Sequence, residues 1–258
     1  MWQALIFALA VLSGLGAHAF GHFVTAHRHG VDAWFPYFIP QLGLSGTNGA
    51  YVKLQWPIDD RRALVRIFAA GPIAGCLVSA LIMFTGMALS TTIARPGGNN
   101  MLQLGDSLLT LAAQRLMFPG LPEDEVVLAH PLLIAGTVGL NFSFWHLLPV
   151  GRFDGGRVVY GLFGRKRALA VSWVTIAGLT VLSIFFPVWL GFAAFGALTL
   201  FRLNRQHPTD RHTQPLDAGT IVLACTLLAI LALTFVPVPA RLNPYQPELN
   251  DGPARVDV

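Results

Sequence analysis

The chain has 258 residues, of which 54% are hydrophobic and only 12% charged, with a formal net charge of +4 and a mean hydropathy of +0.58. Soluble domains carry about a quarter charged residues, so this composition excludes an ordinary soluble enzyme and describes a polytopic membrane protein. The small positive balance reads as membrane orientation, not as nucleic-acid binding.

In chain order, the uncharged runs are Met1–His27, Ile67–Ala94, Val126–Gly151, Ala168–Phe201 and Ala218–Ala240. A bilayer needs about 20 apolar residues per helical span. The run from Ala168 to Phe201 would make about 51 Å of helix against a hydrocarbon core of about 30 Å, and Pro187 offers a turn inside it. Six spans are therefore expected, with five as the alternative. With the N-terminus outside, six spans put 13 of the 17 basic residues on the inner side, whereas five put 12 there; the excess of inner Lys and Arg favours six.

The first run resembles a signal peptide in being apolar, but it lacks a basic leading segment and carries His18 and His22, so it reads as a retained span. After it, "AYVKLQW" (Ala50–Trp56) alternates polar and apolar residues and predicts a strand, giving a short membrane-associated β segment near residues 45–56 in an otherwise all-α protein. Within "PIDDRRALVR", Asp59 and Asp60 are read as caps for the second span. The glycines of "AAGPIAG" suit close helix packing in that span.

The outer segment places Met101, Leu104, Leu108, Leu111, Ala112 and Leu116 at helical spacing, which predicts an amphipathic helix lying on the outer leaflet. Asp217, after "DRHTQPLD", reads as the N-cap of the last span. Residues 1–240 form a single domain in this reading. Residues 241–258, polar and rich in proline, form a disordered tail. Cys76 and Cys225 fall in separate spans without C-x-x-C spacing and are read as packing residues.

His18 and His22 are four apart, which puts both imidazoles on one helix face. The spacing is that of the zinc motif H-E-x-x-H, with Ala19 where the motif has glutamate. Eight histidines in a chain of this length give about 0.25 such pairs by chance, so the pair alone has two readings, zinc ligands or packing histidines. Asp154, in "HLLPVGRFDGGRVV", lies just past the inner end of the third run, at a depth similar to the histidine pair. Its alternative reading is a solvated turn residue beside Gly155 and Gly156. An ionisable group so close to membrane depth is a functional hypothesis by default. Two histidines and one carboxylate, with a fourth position left for water, are the ligand set of a catalytic zinc site.

These residues carry a family resemblance. "HAFGH" (His18–His22) and "HLLPVGRFDG" (His146–Gly155) align with the H-E-x-x-H and N-x-x-P-x-x-x-x-D-G signatures of the site-2 protease family of intramembrane zinc metalloproteases. The likeness continues through "PYFIPQLGLSGTNGAYVKLQ" and "AAGPIAGCLVSALI", and is similar to the branch found in cyanobacteria and plastids. The resemblance implies zinc held by His18, His22 and Asp154. It also implies a transmembrane protein substrate cut near the inner face, and a bacterial inner membrane with the site near its cytoplasmic side.

Three positions depart from the family pattern. Ala19 stands where the family has its general-base glutamate, His146 replaces the asparagine of N-x-x-P, and Asn48 stands where the related branch has phenylalanine. His146, Pro149, Asn48 and Gly49 occupy positions the resemblance gives to substrate. The three glutamates, Glu123, Glu125 and Glu248, fall in an outer loop and the tail, and nothing around Asp32, Asp59, Asp60, Asp210 or Asp217 suggests a place at the metal. General acid and base work is worth about 10²- to 10⁴-fold, so this chain is expected to turn over little. Two function classes follow: an intramembrane endopeptidase scaffold disabled at Ala19, and a non-catalytic membrane protein that binds transmembrane segments. A transporter fits less well, because no pair of broken, repeat-related spans is present.

Overall fold

The computed structural model describes residues 1–40, 47–58, 60–94, 101–122, 125–203, 215–237 and 240–243. Asp59, Glu123, Asp210, Glu248 and the tail from residue 244, all weighed above, lie outside the described residues.

Most of the described chain is helical. α1 (Trp2–Arg28) and α2 (Arg61–Ala88) have 27 and 28 residues, about 40 Å each at 1.5 Å per residue, and both are long and apolar enough to cross a membrane. α4 (Pro131–Leu147) packs against both of them, and α5 (Asp154–Phe163) returns beneath α2. α6 (Arg165–Leu182) and α7 (Val188–Leu203) pair with each other, and α8 (Ala218–Thr234) leans on α2 and α4. The long run from Ala168 to Phe201 does divide in two. α6 stops at Leu182, and the amide of Leu190 reaches back to the Pro187 carbonyl at 3.0 Å as α7 begins.

Local sequence explains the helix starts. Asp60 is the N-cap of α2 and accepts from the Arg62 amide at 2.8 Å, satisfying one of the donors every helix start leaves over. Asp217 takes the N-cap position of α8, its backbone carbonyl accepting from the Thr220 and Ile221 amides while its side chain bonds no helix amide. Its carboxylate instead accepts from Thr220 Oγ1 at 2.6 Å and from Arg66 Nη2 at 2.7 Å, so it ties α8 to α2.

α1, α2 and α4 approach closely because small residues line their contacts. A side chain on Gly21 would stand 2.5 Å from the Ala70 carbonyl oxygen, Gly86 faces the backbone of Leu133, and Gly136 faces Met83. Such contacts are how helices associate where lipid removes the usual hydrophobic drive. Between α2 and α5, Leu64, Ile67, Phe68, Leu147 and Val158 form a buried cluster. On the outward faces Leu77, Leu81, Trp173, Val181, Leu190, Leu198, Ile221 and Leu228 are exposed, a distribution that suits lipid and not water.

The β structure exceeds expectation. β1 (Tyr37–Pro40) and β2 (Thr47–Tyr51) pair antiparallel, with Tyr37 opposite Tyr51. The pairing continues irregularly as the Trp34 amide bonds the Lys53 carbonyl and the Gln55 amide bonds that of Asp32, both at 2.9 Å. The expected strand over 50–56 thus starts three residues earlier, and its regular part ends at Tyr51. β3 (Thr91–Ala94) pairs with β5 (Glu125–Leu128), and β4 (Met101–Leu104) with β6 (Ala240–Asn243).

The last pair corrects two expectations. Met101 and Leu104 belong to a strand, because α3 (Leu108–Met117) begins only at a capping box in which Ser107 accepts from the Thr110 amide and Thr110 Oγ1 accepts from the Ser107 amide. The segment taken as tail is paired as far as Asn243. Strands of four residues are too short for alternation to reveal them.

Candidate metal centre

The two histidines sit on the buried face of α1, with Gly14, Leu15, Ala19 and Ala26. Their four-residue spacing sets the rings edge to face with centroids 4.9 Å apart. The same face lies against α2, where Gly71 and Gly75 leave the room the rings need. A side chain at Gly71 would collide with the His22 ring, and one at Gly75 would stand 2.8 Å from His18 Cβ.

Asp154 reaches the pair from α5. After α4 ends at Leu147, the chain turns through Gly151, whose φ is +50°, and Ser172 Oγ of α6 accepts from the Gly151 amide at 3.2 Å. Gly155 then lies on the carbonyls of Leu147 and Leu148, and Gly156 on those of Val150 and Gly151. Side chains there would push the start of α5 away from the end of α4. The D-G-G sequence therefore serves to bring the first residue of α5, Asp154, back to α1. At that helix N-terminus a carboxylate is also favoured by the helix dipole.

Three donor atoms converge: His18 Nε2 and Asp154 Oδ2 are 3.1 Å apart, His18 Nε2 and His22 Nε2 3.1 Å, and His22 Nε2 and Asp154 Oδ2 3.3 Å. All three side chains are buried. His22 Nδ1 lies 2.8 Å from the Ile67 carbonyl, which can only accept. Nδ1 therefore carries the proton in the neutral ring, and Nε2 presents its lone pair to a carboxylate. His18 Nε2 can donate to Asp154 Oδ2 in its Nε2–H tautomer or, like His22, present a lone pair. A tetrahedral zinc with donors at about 2.0–2.1 Å requires donor atoms about 3.3 Å apart, which the observed triangle matches. The Ile67 carbonyl stands where a metal-bound histidine would have its outer hydrogen bond.

The remaining sequence candidates divide. Ala19 is 1% exposed on the packed face of α1. His146, in the last turn of α4, has its ring centroid 4.7 Å from that of His18 and its Nδ1 2.8 Å from the Phe142 carbonyl. Gly49, with φ +106°, joins His18 and His146 around one cavity, together with Ala50, Phe142 and Ser143. Pro149 stands outside that cavity, where its carbonyl accepts from Ser172 Oγ at 3.3 Å. Asn48 has its backbone in β2, and its side chain is outside the described part.

Sequence reasoning missed Phe68, whose ring lies 5.5 Å from that of His22, and Arg157. The Arg157 guanidinium covers the Phe68 ring at 4.3 Å and that of Trp56 at 5.3 Å, contacts that favour a cation. Burial lowers its pKa to about 10, so it is charged at neutral pH. The i, i+3 spacing from Asp154 was the signal that could have found it.

A helical, outwardly apolar chain enclosing a buried His-His-Asp triangle is of the membrane metallopeptidase class. Residues 6–187 match the model of peptidase family M50, and the chain belongs to that family, the site-2 proteases. It is 36% identical over 187 residues to the probable zinc metalloprotease EGY1, chloroplastic, of Arabidopsis thaliana, covering 69% of this chain and 34% of that protein. It is also 33% identical over 188 residues to the protein of the same name in Oryza sativa subsp. japonica, covering 70% and 32%. The probable zinc metalloprotease EGY2, chloroplastic, of Arabidopsis thaliana is 26% identical over 239 residues, covering 88% and 42%. The chain thus spans between 32% and 42% of the length of these relatives. No solved structure matches it.

Proposed function

We propose that this chain is an intramembrane zinc site of the site-2 protease type that binds transmembrane segments of other proteins and, lacking a carboxylate at position 19, cuts them poorly. The observation that carries this reading is the donor triangle of His18, His22 and Asp154, with edges of 3.1, 3.1 and 3.3 Å, beside an alanine.

Zinc held there would act as a Lewis acid on a peptide carbonyl and favour ionisation of water. The chain's residues do the rest. His22 is held in the ligating tautomer by Ile67, and Gly71 and Gly75 admit the rings. Ala19 can neither accept nor return a proton, so the step to the leaving amine has no donor at that position. The β1–β2 pair offers strand edges to which an unwound substrate segment could add, next to the cavity of Gly49, Ala50, His18 and His146.

The six-span arrangement is part of this proposal, with α1, α2, α4, α6, α7 and α8 crossing and the basic loops on the side of Asp154. The relatives' names place them in chloroplasts and lend no support to a bacterial cell membrane. The proposal therefore specifies the face of the membrane and not the organelle or organism.

Metal analysis of detergent-purified chain is expected to find about one zinc per molecule, with the content falling sharply in His22→Ala and Asp154→Ala. Unchanged zinc in both variants would remove the ligand set.

A further inference from the structure

Arg157 is a partly buried cation that no step of the proposed function uses. It stands on α5 three residues after Asp154, about 4.5 Å further along the axis and on the same side of the helix. Its guanidinium carbon lies 4.3 Å from the ring centroid of Phe68, on α2, and 5.3 Å from that of Trp56, in the segment after β2. Those two rings stack on each other at 15°, with centroids 6.1 Å apart. Phe68 is 2% exposed, and its ring is also 5.5 Å from that of His22. The aromatic floor under Arg157 thus continues to the metal centre.

This cation has no matching anion. Three arginines of α2 at the same end of the molecule are paired: Arg61 donates to the Gly161 and Leu162 carbonyls at 2.9 and 2.6 Å, Arg62 to the Pro215 carbonyl at 2.8 Å, and Arg66 to Asp217 at 2.7 Å. Among the described residues, Arg157 makes no hydrogen bond, and no carboxylate comes within 4.0 Å of its nitrogens. Asp154, and Tyr51 at the end of β2, lie only within electrostatic reach. Donors withdrawn from water without acceptors are costly. Aromatic rings serve the faces of a guanidinium, not its N–H edge, from which all five donors project. That edge is the fork on which a carboxylate binds through two hydrogen bonds.

We infer that Arg157 is the receptor for a carboxylate on the bound transmembrane segment, an Asp or Glu side chain a few residues to the inner side of the one presented to His18, His22 and Asp154. The inference rests on the reading above, that the chain binds transmembrane segments, and deepens it by naming what the segment carries. An extended segment advances about 3.3 Å per residue, so one of the residues next to the metal comes level with Arg157. A buried ring beneath the group and a single open edge favour one side-chain carboxylate over a phospholipid headgroup. The requirement is selective, because the inner flank of membrane spans is ordinarily rich in Lys and Arg, which the Arg157 charge repels. A carboxylate near membrane depth is costly unless paired, and Arg157 supplies the pair.

The test uses the full chain in detergent and labelled leucine–alanine transmembrane peptides of about twenty residues. Each carries a single Glu, Gln or Lys, moved position by position through one end, and binding is followed by fluorescence anisotropy. At one or two neighbouring positions the wild type is expected to bind the Glu peptide at least about tenfold more tightly than the Gln peptide, the worth of a hydrogen bond to a charged group, and the Lys peptide more weakly than either. Arg157→Gln should bring the Glu and Gln affinities to within about twofold of each other, and Arg157→Lys, which keeps the charge without the fork, should retain part of the preference. The wild-type ratio stands whether or not either variant folds. Glu and Gln peptides bound alike by the wild type at every position, or a Glu preference undiminished in Arg157→Gln, would overturn the inference and leave the reading of a segment binder standing. An Arg157→Gln defect confined to binding vesicles of anionic lipid would assign the edge to a headgroup and overturn it too. A wild type that binds none of the peptides would overturn the segment-binding reading and the inference with it.

Discussion

At the scale of single residues, the proposal turns first on Ala19. Ala19 is 1% exposed, so Ala19→Glu must insert a longer side chain into the packed face of α1, at a cost of about 1–3 kcal/mol. If the metal centre is as proposed, that glutamate still restores proton transfer worth about 10²- to 10⁴-fold. Ala19→Glu is expected to create cutting where the chain as it stands shows little, and Ala19→Glu with His146→Asn, which also removes the ring 4.7 Å from that of His18, to cut at least as well. Cleavage of a transmembrane substrate in co-expressing cells measures both, and chelation should abolish the gain. Efficient cutting by the chain as it stands would contradict the assignment of Ala19. His18, His22 and Asp154 were legible in the sequence because helical spacing and a signature motif mark them. Gly71, Phe68 and Arg157 were not, because their roles come from contacts between elements.

At the scale of elements, the α1–α2 contact makes the centre. Gly71 lies where any side chain would strike the His22 ring. Gly71→Ala is expected to leave the chain membrane-inserted but weaken zinc binding by at least about tenfold, in the range seen when groups around a metal's ligands are disturbed. Normal zinc affinity in that variant would show that α1 and α2 can part without cost.

The α2–α8 contact is electrostatic at its end. The hydrogen bond from Thr220, opposed by desolvation and aided by the Arg66 charge, lowers the Asp217 pKa below its ordinary 3.8. A lowered folded value means the contribution is present above the unfolded pKa and is lost as pH falls from there through the folded one. Between neutral pH and about pH 3 the wild type should therefore lose more melting temperature than Asp217→Asn. Equal losses would dissociate Asp217 from the α8 anchorage.

At the scale of the whole molecule, the six crossings proposed above are an even number, so the start of α1 and the segment after α8 should then share one side of the membrane. Labelling of single cysteines placed at residues 1 and 237 tests this, and opposite sides would favour five spans. The run that five spans would treat as one helix is two helices here. Leu182 ends one helix and Val188 begins the next, since proline supplies no amide to continue the ladder.

Composition, charge placement and the two short motifs determined by themselves that this is a membrane metallopeptidase chain with His18, His22 and Asp154 as its metal candidates. Those properties are local: hydropathy accumulates along a run, and two residues four apart on a helix must share a face. The tertiary structure alone decided that the three donors meet within 3.3 Å. It alone put His146 beside His18 and paired residues 101–104 with residues 240–243 across more than half the chain. These depend on which helix faces come together, and that is set by the sum of many small contacts, such as a glycine of α2 against a histidine of α1 or a D-G-G turn folded onto the end of α4. No local pattern records such a sum, because each contact is made by residues far apart in the chain.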